Sequence, residues 1–284
     1  MEPLGMRDHV LGLDHIVIAV SELSASAQRW QALGFTVSPR GLHSDYLGTG
    51  NHTIMFEDDY VELLGVLVPT EFNAPTRSFL ADGAGLERLA MRTDDAAAGL
   101  AALRRDRFDG STGPFEFRRP VELDGGRIGE AGFRIFQWPL EPAPGNVRLF
   151  ACQHLTRETV WLPSLTAHRN GVRALKRIEI VAADPRAEAE LCGKLLDLPV
   201  SATAGVHTVA MRPRGADLVF VDAARFAARW GRQAGDALPR CGIVLAIADI
   251  EAATPFAEWT GPNALLCARV DGALIGWEAP ARRE

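Results

Sequence analysis

Cysteine is scarce and scattered. Cys152, Cys192, Cys241 and Cys267 are the four in 284 residues, and none forms a C-x-x-C pair. That argues against a disulfide framework and for reduced sulfur. No apolar run approaches the length that spans a bilayer, so a membrane partner is not expected. The opening MEPLGMRDHVLG has no apolar core of a signal peptide, so the expected compartment is the cytoplasm. There is no basic excess either. Thirty Lys and Arg against 36 Asp and Glu give a formal charge of −6, whereas nucleic-acid binding needs a clustered basic face. The one arginine-dense run, residues 103–107, falls at the end of a predicted helix, where cations suit the helix dipole. The glycine-rich stretch 41–50 has neither the lysine nor the following helix of a phosphate loop. What remains is an ordinary globular composition, 47% hydrophobic and 23% charged, long enough for one large domain or two ordinary ones.

Against that plain background, residues 13–66 stand out. LDHIVIAV places His15 inside an apolar strand, and YVELLGV places Glu62 inside another. Burying polar groups is costly unless something satisfies them. A divalent metal is one such partner. A backbone carbonyl for His15 and an arginine for Glu62 are the plainer ones. Strand alternation puts Tyr60, Glu62 and Leu64 on one face and Val61, Leu63 and Gly65 on the other, which would pack on a helix.

The chain also repeats. Residues 1–10 read as a loosely held arm. A strand over 13–20 is followed by a helix capped at Ser21 and stopped at Gly34, then strands at 35–39, 52–56 and 60–66. The same order of strand, helix and three strands recurs from Leu86, with a cap at Asp94, a helix over 96–103, and strands near 115–121, 132–138 and 147–154. A third copy starts at Leu175 with a cap at Asp184, a helix over 186–196, and strands near 207–211 and 217–221. A shortened fourth runs from Cys241, capped at Asp249, to 273–277. Periodicity on this scale outweighs any single strand assignment.

Four βαβββ units, paired as one with two and three with four, resemble the vicinal oxygen chelate superfamily of glyoxalases, bleomycin-resistance proteins and extradiol dioxygenases. Within it the chain is similar to the glyoxalase-like domain group. DHIVIAV, GLHSDYLGTGN, YVELLGV, CQHLT and the downstream Trp161 with H-x-N-G (His168, Asn170, Gly171) carry the likeness. The resemblance implies an α+β fold in which four βαβββ units form two paired half-barrel halves with mixed sheets. The expected division is a site-bearing domain over 11–156, a connector over 157–173, and a degenerate second domain over 174–284.

The resemblance also implies a site. His15 and Glu62 match the metal ligands on the first and last strands of unit one, and a His–carboxylate set suits Zn, Fe, Mn or Ni. His154 is the chemically natural third ligand. Registering the last strands of the two units, however, sets Phe150 opposite Glu62, and four strand residues are about 13 Å. Arg88 takes the place of His15 in unit two and cannot ligate. It would pair with Glu62, or join Arg148 in clamping a carboxylate or enolate oxygen. His52 is expected near the cavity mouth, and His43, Asp45 and Tyr46 on the glycine-rich loop, where substrate contacts concentrate. The connector carrying Trp161 and His168 is either a lid or a tether. Arg177 and Gly242 replace His15 in units three and four, so the second half is expected to be structural. The implied function is a metal-dependent enzyme (isomerase, lyase or dioxygenase) chelating a small oxygenated metabolite. The alternatives are a metal-free small-molecule-binding protein and a non-catalytic scaffold. With four units in one chain, a homodimer is optional.

Overall fold

The computed structural model describes residues 6–211, 215–233 and 235–279. Its first half runs β1 (Gly12–Val20), α1 (Leu23–Ala32), β2 (Gly41–Leu42), β3 (Thr49–Met55), β4 (Tyr60–Val66), α2 (Ala74–Ala81), β5 (Gly85–Arg92), α3 (Ala96–Arg105), β6 (Thr112–Glu122), β7 (Ile128–Gln137) and β8 (Arg148–His154). The second runs β9 (Val172–Val181), α4 (Pro185–Leu196), β10 (Val200–Thr203), β11 (Val206–Val209), β12 (Asp217–Val221), α5 (Ala223–Arg229), β13 (Cys241–Ile247), α6 (Ile250–Ala253), β14 (Trp259–Thr260), β15 (Leu266–Val270) and β16 (Ala273–Glu278). Each half forms one eight-stranded mixed sheet, ordered β2-β3-β4-β1-β5-β8-β7-β6 and β10-β11-β12-β9-β13-β16-β15-β14. Each sheet is symmetric about a central antiparallel pair, β1 with β5 and β9 with β13. The fold is thus α+β, with four βαβββ units paired as expected.

Several local expectations are corrected. Residues 35–39 do not form a strand, and β2 begins only at Gly41. Ser38 bonds to Thr53 through both its backbone and its hydroxyl, but Pro39 has no N–H with which to continue a ladder. Glu22, not Ser21, stands at the N-cap of α1. Asp95, not Asp94, caps α3 by accepting from the Ala97 and Ala98 N–H groups, while Asp184 and Asp249 cap as expected. Of the arm, residues 1–5 lie outside the described residues. Arg7 is fixed rather than loose: it donates to Leu195 O at 3.0 Å and pairs with Asp106. Helices α2 and α5, which link the units within each half, are additions.

The outer faces of both sheets share one core. Ile16, Ile18, Val61, Leu63 and Leu89 of the first half are continuous with Ile178, Leu195, Phe220, Ile243 and Trp277 of the second. Polar locks cross the same boundary. Leu175 N–H donates to Asp59 at 3.0 Å, Trp30 Nε1 to Asp271 at 2.9 Å, and Trp138 Nε1 to Leu195 O at 3.1 Å. The connector behaves as a tether. Trp161 Nε1 donates to Phe56 O at 3.1 Å, and His168 spans from Thr36 N at 3.0 Å to Met55 O at 2.8 Å. No helix among the described residues is long and apolar enough to cross a membrane.

The inner faces differ. That of the first sheet carries Val17, Tyr60, Leu64, Phe133 and Phe150 around a cavity of about 610 Å³. That of the second carries Val219, Phe226, Trp230, Val244 and Leu274.

Candidate metal and substrate site

Two strand irregularities build the site. Where β1 pairs with β5, the register jumps from Leu13 to His15 and again opposite Glu87. Asp14 and Glu87 are therefore each one residue in excess, as in a β-bulge, which turns an adjacent pair of side chains away from strict alternation. Their contacts show where they point. Asp14 meets His154 of β8 and Glu87 meets Arg148 of β8, and Arg148 and His154 alternate on the inner face of that strand with Phe150 and Cys152. The register of β13 on β9 likewise skips Lys176, next to Arg177. The triplets Leu-Asp-His, Leu-Glu-Arg and Leu-Lys-Arg are thus one device used three times.

Asp14 Oδ1 accepts from His15 Nδ1 at 2.8 Å and from His154 Nε2 at 2.9 Å, and all three side chains are buried. A carboxylate only accepts, so Nδ1 of His15 carries a proton, which fixes the ring with Nε2 turned away from Asp14. That edge faces Glu62, with Nε2 3.6 Å from Oε2. His43 faces the same carboxylate: its Nδ1 is 2.7 Å from Thr49 Oγ1 and its Nε2 is 4.0 Å from Glu62 Oε1. Asn51 donates to Glu62 Oε1 at 2.7 Å. The His15 ring is stacked on Tyr60 at 4.2 Å and edged by Phe150 at 5.4 Å, which fixes its plane.

The electrostatics follow from burial and neighbours. Burial alone would raise Glu62, but the facing His15, the Asn51 N–H and the nearby Arg88 outweigh it and hold the carboxyl below its ordinary range. Burial and the nearby Arg119 and Arg88 push His43 down to about 4, against the pull of Glu62, so it is neutral near pH 7. Burial would also raise Asp14; the hydrogen bonds from His15 and His154 hold it well below the usual carboxylate range.

The remaining residues named from sequence divide as follows. Arg88 and Arg148 line the cavity, but the ion pair of Arg88 is with Glu87 at 2.6 Å, not with Glu62. Glu87 also takes Arg148, and Thr76 Oγ1 is within 3.2 and 3.3 Å of the two guanidiniums. His52 is displaced from its expected place. It is paired with Leu63, on the face opposite Glu62, and its Nδ1 lies 2.8 Å from Ser38 O; Asn51 and Thr53 line the cavity instead. Tyr46 lies at the mouth, 69% exposed. His154 sits behind His15, 5.0 Å from Trp161, and reaches it through Asp14. The register of β4 on β1 and of β8 on β5 does set Phe150 at the place of Glu62, since His15 pairs with Tyr60 as Arg88 pairs with Arg148.

Asp14, Thr76, Asn51 and Arg119 are not singled out by the sequence reading. Asp14 and Glu87 had a legible signal: two adjacent polar residues in an apolar strand cannot both obey a period of two.

The first half thus combines paired βαβββ units, an inward histidine, a facing carboxylate and an open cavity. The model of the glyoxalase-like domain family matches residues 13–196, and the chain belongs to that family and with it to the vicinal oxygen chelate superfamily. No curated protein matches by sequence. A hypothetical protein from Staphylococcus aureus, 13% identical, shares the fold over 94% of this chain and 99% of its own, with a TM-score of 0.70. Methylmalonyl-CoA epimerase from Mycobacterium tuberculosis is 20% identical over 54% of this chain and 93% of its own, with a TM-score of 0.39. The epimerase from Streptomyces coelicolor, in complex with 2-nitronate-propionyl-CoA, is 21% identical over 51% of this chain and 99% of its own, with a TM-score of 0.36.

Proposed function

We propose that the protein is a metal-dependent enzyme that acts on a small oxygenated metabolite inside the first-half cavity. His15 Nε2 and the Glu62 carboxylate hold a divalent ion, and His43 Nε2 supplies the third donor. The observation that supports this most is the pair of imidazole edges facing one carboxylate at 3.6 and 4.0 Å. Both separations exceed a hydrogen bond, which leaves room for a cation that the two imidazoles and the carboxylate would share. Ligands 2.0–2.1 Å from a tetrahedral ion lie about 3.3 Å apart, so His15 and His43 would close on the carboxylate by about 0.3 and 0.7 Å and would also draw toward each other, since the three donors do not all lie within 4.8 Å of one another. Zn, Fe, Mn or Ni suits this donor set. Such an ion would supply Lewis-acid polarisation of two neighbouring substrate oxygens.

The protein's own groups do the rest. Asp14 holds the His15 proton on Nδ1, Asn51 orients Glu62, and Tyr60 and Phe150 fix the imidazole plane. His154, through Asp14, positions rather than ligates. As a ligand it would join Asp14 and His15, whose donors lie within 4.8 Å of one another with it. Those contacts are already hydrogen bonds, however, and Asp14 is fully buried, which leaves no open position for substrate. Residues 11–156 carry the chemistry in this reading, and 174–284 buttress it across the connector 157–173.

Metal analysis of protein purified without chelator tests the proposal. One ion per chain in the wild type, lost in both His15→Ala and Glu62→Ala, is expected. No ion after reconstitution with Fe, Mn, Zn and Ni would reject it in favour of a metal-free binding protein. The aromatic lining from Tyr60, Phe117, Phe133 and Phe150 favours that second reading. There, an aromatic ligand would raise thermal stability without metal.

A further inference from the structure

Strand β6 points to what the cavity accepts. Phe115, Phe117 and Arg119 pair with Ile135, Phe133 and Ala131 of β7 and face inward together. Arg118 alternates outward into an exposed ion pair with Glu130, and Glu116, which also borders the cavity, sends its carboxylate to Arg134. The inward row runs from the exposed mouth, where Phe115 is 40% and Leu140 50% exposed, toward the Glu62 centre over about 13 Å, four strand residues. Phe117 is stacked on Phe133, with centroids 5.2 Å apart at 24°. The Arg119 guanidinium lies 5.9 Å from the Phe133 ring. Its head has room because residue 41 is glycine: a Cβ there would come within 2.7 Å of Arg119 Nη1.

The three cavity arginines are not equivalent. Arg88 and Arg148 are both paired with the buried Glu87. Arg119 makes no ion pair or hydrogen bond among the described residues; the charge of Glu62 acts on it across the cavity without contact, and Glu62 Oε1 accepts from Asn51. A half-buried guanidinium with no anion in contact is costly, and a bound carboxylate reduces that cost through paired N–H donors. The stacked phenyl wall selects a planar ring beside it. A dianion would place surplus negative charge next to Glu62, so a monoanion fits best. The volume of about 610 Å³ lies in the ordinary range for a small-molecule site.

We infer that the cavity binds an aromatic carboxylic acid, its carboxylate on Arg119 and its ring between Phe117 and the mouth. This rests on the cavity being the substrate site, and not on a metal being present.

Calorimetry on chelator-treated protein with 3-phenylpropionate, its neutral amide and acetate tests it. The acid is expected to bind, the amide roughly 10- to 100-fold more weakly, and acetate weakest, since a charge-assisted contact carries about that factor. Arg119→Gln should bring the acid down to the affinity of the amide and leave the amide unchanged, which also shows the variant is folded. Arg119→Lys should fall between. Equal binding of acid and amide, binding of neither, or an Arg119→Gln variant that keeps full affinity for the acid would overturn the inference. Metal content separates it from the broader proposal. Arg119→Gln should retain any ion the wild type holds, and Arg119-dependent acid binding in a protein that takes up no metal would reject the metal centre alone.

Discussion

The two halves share one scaffold, yet one is hollow and the other is filled. Register makes the comparison residue by residue. His15, Glu62, Arg88, Arg148 and Phe150 of the first half correspond to Arg177, Val219, Gly242, Leu274 and Gly276 of the second. The helix after the fourth strand decides the outcome. In the first half α2 presents Thr76 to the cavity. In the second, α5 and the residue after it send Phe226 and Trp230 into the equivalent space. The glycines receive the indole: a Cβ on Gly242 would fall 2.2 Å from Trp230, and one on Gly276 3.1 Å from it. Trp230 Nε1 donates to the buried Glu179 at 3.1 Å, which Arg177 and Arg229 neutralise. A cavity in this fold is what remains when two bulky side chains are withheld from a linking helix.

The first way to break the comparison is to empty the filled half. Trp230→Ala should destabilise the protein by about 3–5 kcal/mol, because a packed cavity opens and the Glu179 contact is lost. Phe117→Ala, on the wall of the open cavity, should cost clearly less. Urea midpoints with unchanged slopes measure both. The second is to crowd the plug. Gly242→Ala should cost about 1–3 kcal/mol in the same assay, since Trp230 has nowhere to retreat.

A third prediction sharpens the hollow half. Asp14→Asn should weaken metal binding roughly 10- to 100-fold without abolishing it, because the residue orients His15 rather than ligating. Competition with a chromogenic chelator reads this out, and an unchanged affinity would remove Asp14 from the site.

A fourth prediction concerns the seam between the halves. Burial raises the Asp59 carboxyl to about 7, against the pull of the Leu175 N–H and Arg92. The native state therefore holds a proton that the unfolded chain releases near 4. The stability tied to that proton falls as the pH rises from about 4 to about 7. Asp59→Asn should flatten the change in urea midpoint between pH 5 and pH 8; a slope equal to the wild type would assign the dependence elsewhere.

How much of this was legible in the sequence depended on periodicity. The four units, the inner face of β4 and the equivalence of Phe150 with Glu62 follow from a period of two and a repeat of order. Asp14 and Glu87 did not, because a bulge suspends that period at the two places where the site is built. His52, expected at the cavity mouth, follows the alternation that sends it away from Asn51 and Thr53. Arg119 was hidden among neighbouring arginines, and only the outward pairing of Arg118 distinguishes it. The plug was invisible for another reason: Trp230 lies beyond the end of α5, in a segment separate from the strands that carry Gly242 and Gly276, and nothing local in any of the three signals that they meet.

The most direct test of the central claim is anomalous scattering from crystals grown with Mn²⁺. One peak per chain is predicted, bounded by His15 Nε2, the Glu62 carboxylate and His43 Nε2, with none on the inner face of the second half. No peak in the cavity, or one at Asp14 and His154 instead, would contradict it.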